Sequence, residues 1–226
     1  NFSKYYIDFF PFFSIFSERY FMHFLKKNMS FSRFHVNGHF SFSSTSFQEY
    51  LEQNSFRELS ELSDADESIG WVSPFSCLEA PNIDEIVSEP YFRLTMRMDK
   101  RRVPAALFSA RLDMETKYAL EATGKKHLSM QERKELRLTV RRELLAQTLP
   151  NANFTRAIWN YKDSICYLFS TSANIQLKFC KLFKNTFSLE LEELTPATLA
   201  YRWAEKNGAI TAFTNLIPAT FLSTKI

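Results

Sequence analysis

The sequence predicts an α+β fold built on antiparallel sheets with long packed helices. Three observations carry that expectation. Strand-like and helical patterns follow one another in the order β-α-β, helix pair, β-β-α, (β), α. The segment Tyr91–Asp99 alternates Phe92, Leu94, Met96 and Met98 against Arg93, Thr95 and Arg97, the signature of a half-buried strand with a basic outer face. Two long Lys- and Arg-rich helical patterns then run from Pro104 to Pro150. At 226 residues the chain can bury a core without staples. It holds no internal repeat and no low-complexity linker.

Taken in order, the first 28 residues differ from the rest, with eight Phe and three Tyr. Asp8, Pro11, Glu18 and Arg19 interrupt any signal-like run, and no stretch reaches the roughly 18–20 apolar residues of a membrane span. The expectation is an N-terminal extension over residues 1–28, with Met29 as the natural start and Met22 as the second choice, followed by the folded chain over 29–226. From Phe31 a strand alternates through Gly38. Ser46 is placed as an N-cap with Glu49 as its capping-box partner, and the helix they open carries Phe47, Tyr50, Leu51 and Phe56 towards a core. Ser63 to Ser68 reads as an acidic loop, and Ser88-Glu89-Pro90 as a turn into the strand at Tyr91.

Pro104 suits the first turn of a helix whose core face is Leu107, Phe108, Leu112, Tyr118 and Leu120, ended by Gly124. Ser129 and Glu132 form a capping box for the second helix, with Leu136, Val140 and Leu144 as its buried stripe and Pro150 as its stop. Phe154–Tyr161 and Ile165–Ser170 read as a hairpin across Lys162-Asp163-Ser164. Ser172 or Asn174 opens a third helix with Leu177, Cys180, Leu182 and Phe183 inward. Leu189–Leu194 is a short strand. Thr195-Pro196 starts a last helix holding Leu199, Trp203 and Ala204, which Gly208 closes.

Charge is distributed unevenly. Gln48–Pro90 holds eleven Asp and Glu against one Arg, whereas Arg93–Arg142 holds fourteen Lys and Arg against six acids. The basic half points to a polyanion. Within it Arg133, Arg137 and Arg141 repeat at i+4, flanked by Lys134 and Arg142, and no acid stands three or four positions from these arginines inside the helix. Like charges so spaced repel by about 0.2–0.5 kcal/mol per pair, so the stripe needs solvent, another segment or a bound anion. Lys100, Arg101, Arg102, Lys125 and Lys126 extend the surface from the helix ends. These ten residues are the expected contacts to DNA. Duplex binding without sequence preference needs little more than such cations. Base readout would need a docking motif, and no helix-turn-helix, zinc finger or basic zipper stands out. Trp71, Tyr91, Trp159 and Tyr161 are able to stack bases, but their spacing reads as core.

Enzymatic readings have little support. His35 and His39, with Asp64, Asp66 and Glu67, hold metal-ligand chemistry without a fixing geometry. Asp99 and Glu115 are the acids inside the basic half on which a metal-dependent nuclease would draw. Cys77, Cys166 and Cys180 form no C-x-x-C pair and read as free thiols of a reducing cytoplasm. Four glycines leave no phosphate-cradling loop. No catalytic residue, metal, cofactor or small-molecule substrate is expected, and no membrane association.

Gly70-Trp71-Val72-Ser73-Pro74, the strand leading to Lys100-Arg101-Arg102-Val103-Pro104, the charged helices ending Leu149-Pro150, and Phe154-Thr155-Arg156 with the hairpin, helix and Leu199–Trp203 beyond it resemble the bacterial recombination-associated RdgC family over roughly Phe31 to Gly208. The resemblance implies a cytoplasmic, nucleoid-associated α+β protein that dimerises into a ring. It implies nonspecific binding of double-stranded DNA through a basic central hole, restraint of the RecA recombinase, and no catalysis. The alternatives are a metal-dependent exonuclease and a protein-interaction scaffold whose acidic and basic halves pair. Ser73 stands where the family usually has a first proline, Asn151 follows Pro150 where Arg is usual, and the further C-terminal region of long members is not present up to Ile226.

Overall fold

The computed structural model describes residues 30–38, 40–60 and 65–217. The extension expected over 1–28 lies outside the described residues, as do His39 and Asp64. The chain runs β1 (Ser32–Asn37), α1 (Ser44–Gln53), β2 (Glu67–Val72), α2 (Ile83–Ile86), β3 (Val87–Ser88), β4 (Tyr91–Lys100), α3 (Ala105–Thr123), α4 (Met130–Ala146), β5 (Asn151–Asn160), β6 (Ile165–Leu168), α5 (Ala173–Phe187), β7 (Glu190–Glu193), α6 (Pro196–Lys206) and α7 (Ile210–Thr214). The seven strands form one antiparallel sheet in the order β2-β4-β5-β6-β1-β7, with β3 also on β4. The fold is α+β, as expected.

Strand alternation puts Phe34 and Val36 of β1, Phe92, Leu94 and Met96 of β4, and Ala157 and Trp159 of β5 on one sheet face, all buried. Helices α1 and α5 join that face in a single core with Phe47, Leu51, Phe179, Phe183 and Phe187. Its centre is aromatic. Phe47 stacks on Phe92 at 4.6 Å and on Phe187 at 5.3 Å, and Trp159 meets Phe183 edge-on at 5.0 Å. Each such pair adds about 0.5–1.5 kcal/mol beyond area burial. The fully buried Trp71 donates its indole N–H to Thr186 Oγ1 at 2.7 Å, tying β2 to α5.

The opposite sheet face departs from expectation. It is basic but not open. Arg97 is 9% exposed and makes two hydrogen bonds to Asp99, at 2.8 and 2.7 Å, with Phe56 lying 4.1 Å from its guanidinium. Arg93 sits under Phe75 at 5.0 Å. The covering chain reaches this face because β2 has a glycine there. A Cβ on Gly70 would come within 2.4 Å of the Phe56 backbone. Ser73 organises the next turn: its hydroxyl donates to Glu85 and accepts the N–H groups of Phe75 and Ser76 at 3.2 and 2.9 Å.

Several local expectations are corrected. The N-cap of α1 is Ser43, whose carbonyl accepts the Phe47 N–H at 2.9 Å, so Ser46 lies inside the helix and Phe56 beyond it. Strand β2 begins inside the stretch expected as an acidic loop, Ser63 to Ser68, because its glycine and its acidic start hide the alternation. In α3 the expected core residues are not buried, and Leu107 and Tyr118 are half exposed. The main neighbour of that helix is α4, which cannot enclose a whole stripe. In α4 the buried set is Val140, Leu144 and Leu145, with Leu136 half-buried. In α5 the sheet-facing stripe is Phe179, Leu182, Phe183, Thr186 and Phe187, leaving Leu177 outside. In α6 only Ala204 is buried among the described residues, and Trp203 is exposed. The Gly124 terminus (φ 63°), the Ser129 capping box, the β5–β6 hairpin and Thr195-Pro196 all stand as read.

Candidate nucleic-acid interface

The basic tract is held by one pair of strands. Lys100, the last residue of β4, pairs with Asn151, the first of β5. Everything between them leaves the sheet and returns to it as the arm α3–α4. The arm turns where Gly124 takes a left-handed conformation that other residues rarely adopt. It is then set by the α4 cap. Ser129 Oγ accepts the Glu132 N–H at 3.2 Å, while the Glu132 carboxylate accepts the Ser129 N–H at 2.8 Å and an ammonium N–H of Lys125 at 2.6 Å. The Lys125 ammonium, together with the Ser129 backbone, holds the Glu132 carboxyl down at about 2. Burial of Val140, Leu144 and Leu145 fixes the rotation of α4.

With that rotation Lys134, Arg137, Leu138 and Arg141 turn towards the ends of β4 and β5, across a cleft of about 870 Å³. The sheet contributes Met98, Lys100, Asn151 and Asn153. The chain between β4 and α3 contributes Arg101, Arg102 and Val103, and α3 contributes Ala105 and Phe108. The lining holds six cations and one carboxylate, Asp66. Arg141 meets Asp66 at 3.3 Å, with both side chains about half exposed. Such a pair is worth about 0–1 kcal/mol and exchanges readily for another anion. Arg137 lies 5.4 Å from the Phe108 ring centroid, in the range of a cation–π contact. Just outside the lining, Glu67 is shared between Lys178 and Lys100, the latter at 4.0 Å.

The ten basic residues singled out in the sequence therefore divide. Lys100, Arg101, Arg102, Lys134, Arg137 and Arg141 come together in the cleft. Arg101 is the exception in kind. It is 5% exposed and its guanidinium donates to the carbonyls of Leu59 and Ser60 at 2.8 and 3.1 Å. Its charge reaches the cleft, but those donors are committed. Arg133 and Arg142 are exposed on α4, and Lys125 and Lys126 lie at the arm's turn; none of these four lines the cleft. Asp66, a candidate metal ligand by sequence, is instead the partner of Arg141, and nothing in the sequence marks Met98, Val103, Phe108, Leu138 and Leu145 as the apolar lining of a cleft. Sequence reasoning also missed Asn151 and Asn153, because β5 was started at Phe154.

The other candidates are placed plainly. Trp71 and Trp159 are core residues, and Tyr91 and Tyr161 are half-buried. Both oxygens of Asp99 are taken by Arg97, and Glu115 pairs with Arg111 at 3.0 Å. His35 lies beside Glu192 and Arg202, and burial lowers its pKa. Among the described residues no group of three His, Cys, Asp or Glu is arranged to hold a metal ion. Cys77, Cys166 and Cys180 are free thiols, and burial pushes the Cys166 pKa up.

The family model described as "Putative exonuclease, RdgC" matches residues 22–211, most of the chain. The chain belongs to the RdgC family. Membership in the RdgC family supports a recombination-related role. No curated protein matches the chain. Among the described residues of this RdgC-family chain, no helix is long and apolar enough to cross a membrane.

Proposed function

We propose that this RdgC-family chain is a nonenzymatic protein that binds double-stranded DNA without sequence preference, as a homodimeric ring, and modulates a RecA-type recombinase on the nucleoid. The observation that carries the DNA reading is the cleft. Lys100, Arg102, Lys134 and Arg137 face one another there with a single carboxylate among them, already half exposed and paired to Arg141. Phosphates answer that excess charge, and released counterions supply the affinity. Lys126, Arg133 and Arg142 lie on the same arm and add to its field without lining the cleft.

The test is binding of the full chain to an arbitrary labelled duplex across a salt series. A slope of about −0.9 per phosphate contacted is expected, independent of sequence. Replacing Lys134, Arg137 and Arg141 together with Ala should flatten it. Absence of binding at low salt would overturn the reading and favour a protein-interaction scaffold.

The word exonuclease in the family description favours a nuclease as the second reading. It predicts loss of DNA that depends on Mg²⁺ or Mn²⁺. Asp99 and Glu115 are poor agents for it, since each is already bound to an arginine. Metal-dependent cleavage that survives replacement of both acids would place a metal site elsewhere in the chain.

A further inference from the structure

A phosphate backbone makes no use of half of this cleft. Phe108, Leu138, Leu145 and Met98 give it an apolar lining among the cations, and Leu138 is 54% exposed. Phosphates are satisfied by charge and hydrogen bonds alone, whereas unstacked bases seek flat apolar and guanidinium surfaces. The cleft already contains such a surface: the Arg137 guanidinium lies near the Phe108 ring, with Leu138 one residue further along α4. Two exposed carboxamides, Asn151 and Asn153, stand on the opposite wall with donors and acceptors suited to a base edge. The volume, about 870 Å³, falls within the roughly 300–1,000 Å³ of pockets that enclose a small ligand. Bases inside a duplex are stacked on both faces and offer only their edges, so the ligand that fits is an unpaired one.

We infer that the cleft is a pocket for an unstacked nucleotide, its phosphate held by Lys100, Arg102 and Lys134 and its base laid on Phe108 and Leu138. This inference rests on the DNA reading above and narrows it: DNA with a gap or a single-stranded end is bound in preference to intact duplex. Asp66, paired to Arg141 in the same lining, marks a second anion position, which the next phosphate along the strand takes over.

The test compares the full chain on three probes at one salt concentration. They are an intact hairpin duplex, the same duplex with a three-nucleotide gap carrying 2-aminopurine, and a free 5′-phosphorylated trinucleotide carrying the same base. Gapped DNA should bind roughly five- to a hundred-fold tighter than intact duplex, as expected for one stacked base, and the 2-aminopurine fluorescence should be quenched. Leu138→Ser, a change at an exposed helix position, should remove most of that preference, bringing the affinity for gapped DNA down towards that for intact duplex. Phe108→Ala should remove the quenching. Equal affinity for gapped and intact DNA, or a preference and quenching that survive both variants, would overturn the inference while the duplex reading stands. Trinucleotide quenching without duplex binding would keep the pocket and overturn the duplex reading; no binding of any probe would overturn both. Sedimentation showing a dimer that Leu138→Ser dissolves would assign the apolar lining to a second copy of the chain and overturn the pocket.

Discussion

Arg97 and Arg137 come from the same basic tract and are indistinguishable by composition, yet they have opposite fates. Arg97 is closed. Both of its hydrogen-bonding edges that meet Asp99 are used, a phenylalanine covers it, and almost none of it reaches water. Arg137 is open, supported on one side by Phe108 and exposed to the cleft on the other. The difference lies in what the strand or helix beneath each one faces. The sheet's second face is roofed by the chain around Phe56 and Phe75, so a cation there must carry its counterion with it. The arm has no such roof, so its cations depend on solvent or on a ligand. Charge counted along a sequence therefore overstates a binding surface, and the count must be divided by burial before it is read as one.

The division can be tested from its most buried side outwards. Arg97→Ala strands the Asp99 carboxylate, which is 2% exposed, and should cost about 3–5 kcal/mol. Urea denaturation of the variant would show it as a lower midpoint. The double variant with Asp99→Asn should recover part of that loss if the stranded charge is its cause. Thr186→Val leaves the Trp71 indole N–H without its acceptor, for about 1–3 kcal/mol. A tryptophan-fluorescence melt would report it. On the open side, Lys134→Ala with Arg137→Ala should move stability by no more than about 0.5 kcal/mol, as exposed positions do, while weakening DNA binding at every salt concentration. A change of several kcal/mol there would mean that the arm's cations are structural too.

The smallest effect concerns the α4 cap. Glu132 titrates at about 2 in the folded arm against an ordinary 4.5, because Lys125 and Ser129 hold its charged form. A depressed carboxyl favours the folded state above its unfolded value. That contribution fades as pH falls from about 4.5 and is gone below about 2. Far-ultraviolet circular dichroism should therefore show fraying of the arm over that window, and Glu132→Gln should remove the pH dependence from this source.

Much of the architecture was legible because it is written in local signals. The two-residue period of Tyr91–Asp99, the Ser129–Glu132 box, Gly124 and Thr195-Pro196 each act within a few residues, so no tertiary knowledge is needed to read them. What escaped was set by distant partners. Gly70 makes sense only once the Phe56 backbone is seen crossing it at a distance that a Cβ would violate. Leu177 and Phe179 trade places because the position of the sheet decides which side of α5 is inside. At the interface, the stripe of arginines was legible as charge. Its partition was not, since the carbonyls that bind Arg101 come from residues 59 and 60, far back in the chain. In the apolar half of the cleft, Phe108 has the spacing of helix core, while Leu138 and Leu145 fall outside the expected stripe of α4.

The pairing of Lys100 with Asn151 has a consequence for how this molecule can be altered. In topological terms β4 and β5 are the two legs of one hairpin, and residues 101–150 are its loop. The free energy of closing a loop rises only slowly with its length, by about 0.6 kcal/mol per doubling. The ladder from Tyr91–Asn160 to Lys100–Asn151 therefore carries fifty residues instead of two at a cost of only about 3 kcal/mol, spread over ten registered pairs. An Asn-Gly turn grafted between Lys100 and Asn151 should leave the aromatic body folded and remove the cleft in one step. The body and the arm are then separable modules: one holds the aromatic core, the other carries the cleft, and the arm's length and charge are free to change without renegotiating the core.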